Sequence, residues 1–358
     1  MSMNKKRLAV NILCSICLIV MIFSFFSISF IVKPLGVERE NVTGFYAEEE
    51  NSLDVVYIGG SSCFEFWVPL KAFNDYGFTS YNFAHSAMSP IEIKYYIEEA
   101  RKTQTPKLFV IDLRPFQYGE DMLYDENPTR WGLLGFNYSQ NRHRMVSELT
   151  KNKDKTRSYY FDFLRYKSLL PYEIGSIISG NYSKLKYWNN KVENDLKGFY
   201  FANNIRQITF TDYKMVTDTT QLPEKTDYYF HDLLEYLSEE NVETLFVVNS
   251  YSQEESHKKL YNYMEQEIYK YNLKFLNTND YFYEIGYDVN MDFFDSSHVN
   301  IFGSEKYTEF LGSYIVNNYN LTDKRNNQEF SSWQQKYEDF VIEVKKNKEY
   351  LLSLKNEE

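Results

Sequence analysis

Residues 53–67 read LDVVYIGGSSCFEFW, and the reading of this stretch decides the rest. Residues 53–58 form a short apolar run rich in β-branched side chains, the pattern of a strand buried on both faces. The run ends on Gly59 and Gly60, followed at once by Ser61 and Ser62, in a chain that holds only 14 glycines. A tight turn accounts for the glycines. A nucleophilic serine presented at the end of a strand accounts for the hydroxyls as well, and it requires partners elsewhere in the chain.

Working outward from this stretch, strands and helices alternate. Pro69 opens a short helical stretch that Gly77 closes, and residues 78–84 (FTSYNFA) predict a second strand. Ser89, Pro90 and Glu92 make a capping box with proline at the first helical position, opening a helix through Ala100. Residues 107–113 (KLFVIDL) follow as a third strand. This rhythm predicts an α/β fold with a parallel sheet, whose sites lie beyond the carboxyl ends of the strands, where Ser61 and Ser62 fall. The alternation breaks over residues 118–222, an aromatic segment with the charged patch TKNKDKTR, read as an inserted, mainly helical cap. It resumes at 223–318, with Phe230, Leu233, Leu234 and Leu237 on one helical face and a buried strand in ETLFVVNSY. Residues 53–117 and 223–318 are thus the two halves of one core. The tail, 319–358, carries Trp333, Tyr337, Phe340, Val341 and Val344 at helical spacing and is expected to pack on that core.

The N-terminus sets the location. Residues 1–7 are basic, and 8–32 are uncharged and apolar over a length that crosses a bilayer. A signal peptide would have an apolar region of only roughly 7–15 residues, and no small-x-small site precedes Lys33. The expectation is an uncleaved single-pass anchor in the cell membrane, with a cytoplasmic N-terminus and an extracytoplasmic C-terminal domain. Residues 33–52, polar and acidic, are read as a tether. Cys14 and Cys17 lie inside the span and Cys63 is alone beyond it, so no disulfide framework is expected.

Bulk composition narrows the function. A formal net charge of -11 lacks the electrostatic footprint of a general nucleic-acid binder. The 33 Tyr and 28 Phe would suit sugar platforms, but base-composition bias that also enriches Asn, Lys and Ile is the weightier explanation. No HExxH, calcium loop or Walker-type glycine loop occurs, so neither metal nor other cofactor is expected.

A serine becomes a nucleophile when a base takes its proton and a third group orients that base. Of the five histidines, only His298 has an acid in a telling position: Asp295, in DSSH, three residues before it. In a tight turn the two side chains converge, leaving the second ring nitrogen to face a serine. Cys63, beside the serines, reads as a small buried hydrophobe rather than a thiol nucleophile.

In order and spacing, DVVYIGGSS, YNFAHSAMSP and DSSHVNIFG resemble the three sequence blocks of the SGNH/GDSL hydrolase superfamily. The likeness is strongest to its membrane-anchored, cell-surface branch, which includes proteins of teichoic-acid D-alanylation and exopolysaccharide O-acetylation. It covers residue 54 to roughly 316, with the cap as an insertion. The resemblance implies a three-layer αβα sandwich, flavodoxin-like in its sheet. It makes Ser61 the nucleophile, or Ser62 if the motif slides by one, with Asp295 and His298 as acid and base. Gly60 stands where that family usually has aspartate. The oxyanion glycine falls near Ala87, whose backbone N–H, with that of Ser61, would bind the oxyanion. The oxyanion asparagine is missing after the third strand, which reads IDLRPFQ. Arg114 and Gln117 are its candidate replacements, Asp112 and Arg114 forming a structural ion pair being the other reading, and His85 is a candidate substrate contact.

The function expected on these grounds is an anchored serine esterase or O-acyltransferase acting on acyl esters of cell-surface glycan. Its expected partners are the glycan or acylated polymer, the membrane and a membrane-bound acyltransferase. The alternative is a non-catalytic protein of the same fold for glycan binding or envelope-polymer assembly. The topology is open to direct test: the protein should remain in the membrane fraction, and protease added to intact spheroplasts should degrade it. A soluble form beginning near Lys33 would reject the anchor, and full protection from protease would reject the outward orientation.

Overall fold

In the computed structural model, residues 3–28, 33, 36–151 and 156–357 are described; the end of the apolar run (29–32), Pro34, Leu35 and the centre of TKNKDKTR (152–155) lie outside them. Five short strands form a fully parallel sheet: β1 (Val55–Ile58), β2 (Ser80–Asn82), β3 (Leu108–Asp112), β4 (Thr244–Val248) and β5 (Lys274–Asn277). Their order is β2-β1-β3-β4-β5, so the chain builds outward from β1 in both directions and the sheet's switch point lies between β1 and β3. Successive strand residues serve opposite faces. Val56, Ile58, Phe109 and Ile111 join one hydrophobic cluster, while Val55, Tyr57, Leu108 and Val110 join another. Every residue of β1, β3 and β4 is buried, which is why these strands read as continuous apolar runs rather than alternating ones.

The helices follow their local chemistry. α1 (Met3–Ile28) contains an apolar stretch, Lys5–Phe26, long enough to cross a membrane. It is followed by α2 (Val37–Ala47), α3 (Ser61–Phe66), α4 (Pro69–Tyr76) and α5 (Pro90–Ala100). Pro69 starts α4 and Gly77 ends it in the left-handed conformation, φ 83°. In α5 the capping box is formed as its sequence predicts, with Glu92 accepting the Ser89 N–H at 2.8 Å.

Short helices α6 (Glu126–Leu133), α7 (Gln140–Leu149), α8 (Arg157–Tyr160), α9 (Asp162–Tyr166) and α10 (Leu170–Ile178) occupy the inserted segment. The core resumes with α11 (Glu224–Glu239), α12 (Glu255–Lys270), α13 (Phe282–Ile285) and α14 (Ile301–Asn318). The tail is a single helix, α15 (Ser331–Glu357), whose Trp333 ring packs 5.4 Å from that of Phe73.

Two expectations need correction. Residues 33–52 do not hang as a tether, because α2 is built into the core. Val42 and Phe45 are fully buried, and the Phe45 ring stacks on Phe83 with centroids 4.1 Å apart. The acidic residues around them hide an i, i+3, i+4 apolar stripe (Val42, Phe45, Tyr46) in a helix of little overall hydrophobicity. The inserted segment is also helical only as far as residue 187; residues 188–223 form no helix or strand. Its helices pack on α5, α2 and α1. The irregular part runs beside the DSSH loop instead, with Arg206 N–H donating to the Phe293 carbonyl at 2.8 Å.

The place of α2 in the core gives a stability test. Phe45→Ala should cost about 3–5 kcal/mol, as expected for emptying a buried aromatic site, read as a lowered denaturation midpoint. A flexible tether would lose almost nothing.

Candidate active site

The carboxyl ends of β1 and β3 create the site. Residues 59–60 leave β1 beside the last residue of β3, and α3 begins at Ser61 with Gly60 as its cap. Gly59 has no side chain because none fits: a Cβ there would lie 2.4 Å from the Asp112 Cβ. The two serines part company at this turn. Ser62 is buried and its hydroxyl donates to Asp112 Oδ2 at 2.5 Å. Ser61 is half-buried, with Oγ 2.7 Å from His298 Nε2. Of the two sequence registers, the structure puts the Ser61 hydroxyl on the histidine.

His298 is held from its far side. Its Nδ1 lies 3.0 Å from Asp295 Oδ1 and 3.1 Å from Oδ2. Asp295 Oδ1 also accepts the backbone N–H groups of Ser297 at 2.7 Å and His298 at 2.9 Å. With Nδ1–H donating to the carboxylate, the Nε2 lone pair is left for the Ser61 hydroxyl. Burial pushes the Asp295 carboxyl up, but the His298 donor, its charge and the two backbone N–H groups outweigh it, holding the carboxyl below its ordinary range. Ser61, His298 and Asp295 therefore stand in the hydrogen-bonded order that a nucleophile, its base and an orienting acid would need.

The loop that carries Asp295 and His298 is fixed at several points. Phe293 and Val299 form an antiparallel bridge across its base. The Ser252 N–H, from the loop after β4, donates to the Ser296 carbonyl at 2.9 Å. Arg114 donates to the Ser297 carbonyl at 2.6 Å and lies over the Tyr251 ring at 4.5 Å. Arg114 and Asp112 form no side-chain pair of the kind the sequence allows: Asp112 takes the Arg114 backbone N–H at 3.0 Å, while the guanidinium turns to the loop. Arg114 is thus a positioning residue in this structure.

The other expected substrate contacts are likewise engaged within the protein. Gln117 Oε1 accepts both the Tyr251 hydroxyl, at 2.5 Å, and the Tyr261 hydroxyl, at 2.6 Å. His85 is fully buried, with Nε2 3.0 Å from Glu92 Oε2 and Nδ1 2.9 Å from the Ser86 carbonyl. A side chain with no exposed surface does not meet a substrate; His85 instead shapes the turn that carries Ala87. Ala87 has φ 51°, the left-handed region that glycine enters without cost. β2 runs parallel to β1, so the turn after it emerges at the same end of the sheet as Ser61.

Glu65 escaped the sequence reading. It lies one helical turn after Ser61 on α3, is 9% exposed, and its Oε2 has no hydrogen-bond partner. Burial pushes its carboxyl up to about 7, against the pull of His298 and Arg114 and with the push of Asp295. An acid that shares these neighbours belongs to the site. The i, i+4 spacing from Ser61 was the available signal, concealed because residues 59–62 read as a turn rather than a helix start. Cys63, by contrast, is fully buried with its thiol pushed well up by desolvation, as expected of a small core side chain.

Among the described residues no three His, Cys, Asp or Glu side chains gather as a metal site requires. The surface concavity between α10 and Tyr182–Leu185 lies away from the triad. The triad itself is open, with the His298 and Asp295 side chains 20% and 32% exposed. No protein-family model matches the chain, and no curated protein matches it.

The Glu65 carboxyl sets a pH-dependent stability. Folding raises its pKa above the ordinary carboxyl value, so the native state holds the extra proton between that value and about 7, and stability falls as pH rises through this window. Glu65→Gln should therefore be more stable than wild type at pH 8, by on the order of 1–3 kcal/mol, and the gain should shrink towards pH 5. A difference that stays constant across that range would show that Glu65 does not titrate there.

Proposed function

We propose that this protein is a membrane-anchored, extracytoplasmic serine esterase or O-acyltransferase of SGNH type, acting on acyl esters of cell-surface glycan. One observation carries the reading: Ser61 Oγ lies 2.7 Å from His298 Nε2 while Asp295 holds Nδ1. These residues come from opposite ends of the chain, and chance rarely sets three such groups in hydrogen-bonded order at a sheet's switch point. The parallel order β2-β1-β3-β4-β5, with apolar clusters on both faces, supports the finer assignment of a three-layer αβα sandwich.

In the proposed mechanism the Ser61 oxygen attacks the ester carbonyl carbon as His298 Nε2 takes its proton. The carbonyl π electrons move to the oxygen, which the Ser61 and Ala87 N–H groups stabilise. Collapse of the tetrahedral intermediate expels the glycan alkoxide, and His298 returns the proton to it, leaving an acyl-Ser61 enzyme. Water or a second hydroxyl then attacks, with His298 as base again, to release acid or a new ester. Asp295 remains a carboxylate and stabilises the imidazolium. An open triad suits an ester borne on a polymer, which a closed pocket would exclude. For the transferase direction a membrane-bound acyltransferase is the proposed partner: the group that carries its acyl ester then leaves in place of the glycan alkoxide, taking the proton from His298, and a glycan hydroxyl makes the second attack.

The competing reading is a non-catalytic protein of this fold that binds glycan or assists polymer assembly. It draws on the absent oxyanion asparagine, since Arg114 and Gln117 are both committed inside the protein. Loss of one such donor costs roughly 100- to 1,000-fold in rate.

A fluorophosphonate probe separates the two, because it traps an activated serine oxygen at phosphorus without needing fast turnover. The folded wild type should be labelled and Ser61→Ala should not. Ser62→Ala should keep the label while losing about 1–3 kcal/mol of stability, because Asp112 would be left short of a donor. His298→Ala should label at least about 100-fold more slowly. Labelling that survives Ser61→Ala would move the nucleophile to another serine, whereas a folded wild type that takes no probe at mildly basic pH would turn the reading to the non-catalytic one.

A further inference from the structure

The far end of the apolar helix does not stand clear of the domain. The Phe23 ring lies 5.3 Å from that of Phe161, edge-on, and Phe26 stacks on Phe163 at 5.5 Å. Phe25 lies 6.2 Å from Trp188. Just beyond the helix, Lys33 is buried against Asp162, 3.3 Å away, and Asp162 also pairs with Arg142 at 3.2 Å. Lys184 and Arg39 both donate to the Lys33 carbonyl, at 3.3 and 3.1 Å. Residues 157–191 are therefore fastened to the place where the apolar stretch ends.

That same segment presents large apolar and aromatic side chains to solvent. Ile178 is 81% exposed, Tyr172 73%, Trp188 67% and Tyr182 58%. Its charge is opposite to that of the rest. Residues 156–191 hold six basic side chains (Arg157, Arg165, Lys167, Lys184, Lys186, Lys191) and two acidic ones (Asp162, Glu173), a net +4 within a chain of -11. Both acids are buried, Glu173 against Lys184, whereas Lys167, Lys186 and Lys191 are exposed. Amphipathic aromatic side chains beside lysines, level with the end of a span, have the composition of a surface that rests in the headgroup layer.

We propose that residues 157–191 form a second membrane contact, in which Tyr172, Ile178, Tyr182 and Trp188 enter the outer leaflet and the exposed lysines face its anionic headgroups. The proposal rests on the reading of α1 as a membrane span. It goes beyond that reading, because a single span can still tilt in the bilayer and carry the domain fastened to it away from the surface. With two contacts the domain has one orientation, and Ser61 one direction in which to meet its substrate.

Tryptophan quenching by brominated lipid tests it in the full chain. The protein is reconstituted, without any other protein, in vesicles of equal parts phosphatidylcholine and phosphatidylglycerol, with or without bromine on the acyl chains. Ile178→Trp should be quenched, and the part of the wild-type signal lost in Trp188→Phe should be quenched too. Ile16→Trp, in the middle of α1, reports the span itself. Quenching at Ile16→Trp with none at Ile178→Trp or Trp188 would overturn the second contact and leave the anchor standing. No quenching at any of the three would overturn the anchor reading. Quenching of Ile178→Trp should be at least about twofold stronger with phosphatidylglycerol than in phosphatidylcholine alone; equal quenching would overturn the role given to the lysines. If Ile178→Trp is silent in pure lipid but protected from aqueous quencher in native membranes, the patch seats a protein and the lipid proposal falls.

Discussion

Gly59 and Asp112 meet so closely that nothing larger than a hydrogen fits between them, and the site depends on that approach. Asp112 ends β3 with no exposed surface, and burial pushes its carboxyl up. The charge of Arg114, the Ser62 hydroxyl and the N–H groups of Arg114 and Gly60 pull it back. A buried carboxyl that takes this many donors imposes geometry on each of them. Ser62 must turn inward to reach it, so the residue before it on α3 is the one left to face outward. The Arg114 backbone is pinned at the same oxygen pair, which frees its guanidinium to reach the Ser297 carbonyl. One carboxylate thus sets both the serine and, through Arg114, the loop that brings the histidine.

The histidine loop would be a poor place for a base if it moved freely, since a shift of about 1 Å can cost 100-fold in rate. It is held instead from the exits of β3 and β4 and from the irregular segment after residue 188. Asn300 adds a further tie, its amide donating to the Met291 carbonyl at 2.7 Å while its Oδ1 caps α14. The inserted segment therefore contributes to the site through its least regular part.

How much of this was legible depended on whether local chemistry or distant packing set each feature. The capping box at Ser89 and Glu92, the stop at Gly77 and the apolar face of α11 are fixed by neighbours in sequence, and each sits where its residues predict. Ser61, Asp295 and His298 could be picked out because their spacing to strand ends is itself a geometric statement. The α2 helix could not, since Val42 and Phe45 stand among polar residues, and the buried Asn41 beside them finds its partners in Ala84 and Tyr81, some forty positions away. His85 misled for the same reason: its partner Glu92 already had a capping role, and nothing local revealed that it would also hold a buried ring. The helix start at Ser61 was hidden because two glycines and two serines read as a turn, and Glu65 was lost with it.

The burial of α2 also limits what the domain can reach. A flexible tether of some twenty residues would let a site sample a wide shell above its anchor, roughly 25 Å in root-mean-square span. Here that chain is spent on a packed helix, and Lys33 is locked against Asp162 almost as soon as the apolar helix ends. Breaking that lock would leave the buried Lys33 ammonium without its carboxylate, which is strongly unfavourable. The domain therefore cannot extend towards a substrate held at a distance. If α1 spans the membrane and Ser61 attacks an ester as proposed, that ester must come to Ser61, either on a polymer long and mobile enough to fold back or on a carrier that stays at the membrane surface. A partly exposed triad on a fixed domain suits that arrangement, because approach, rather than closure of the protein, would then present the carbonyl to the serine.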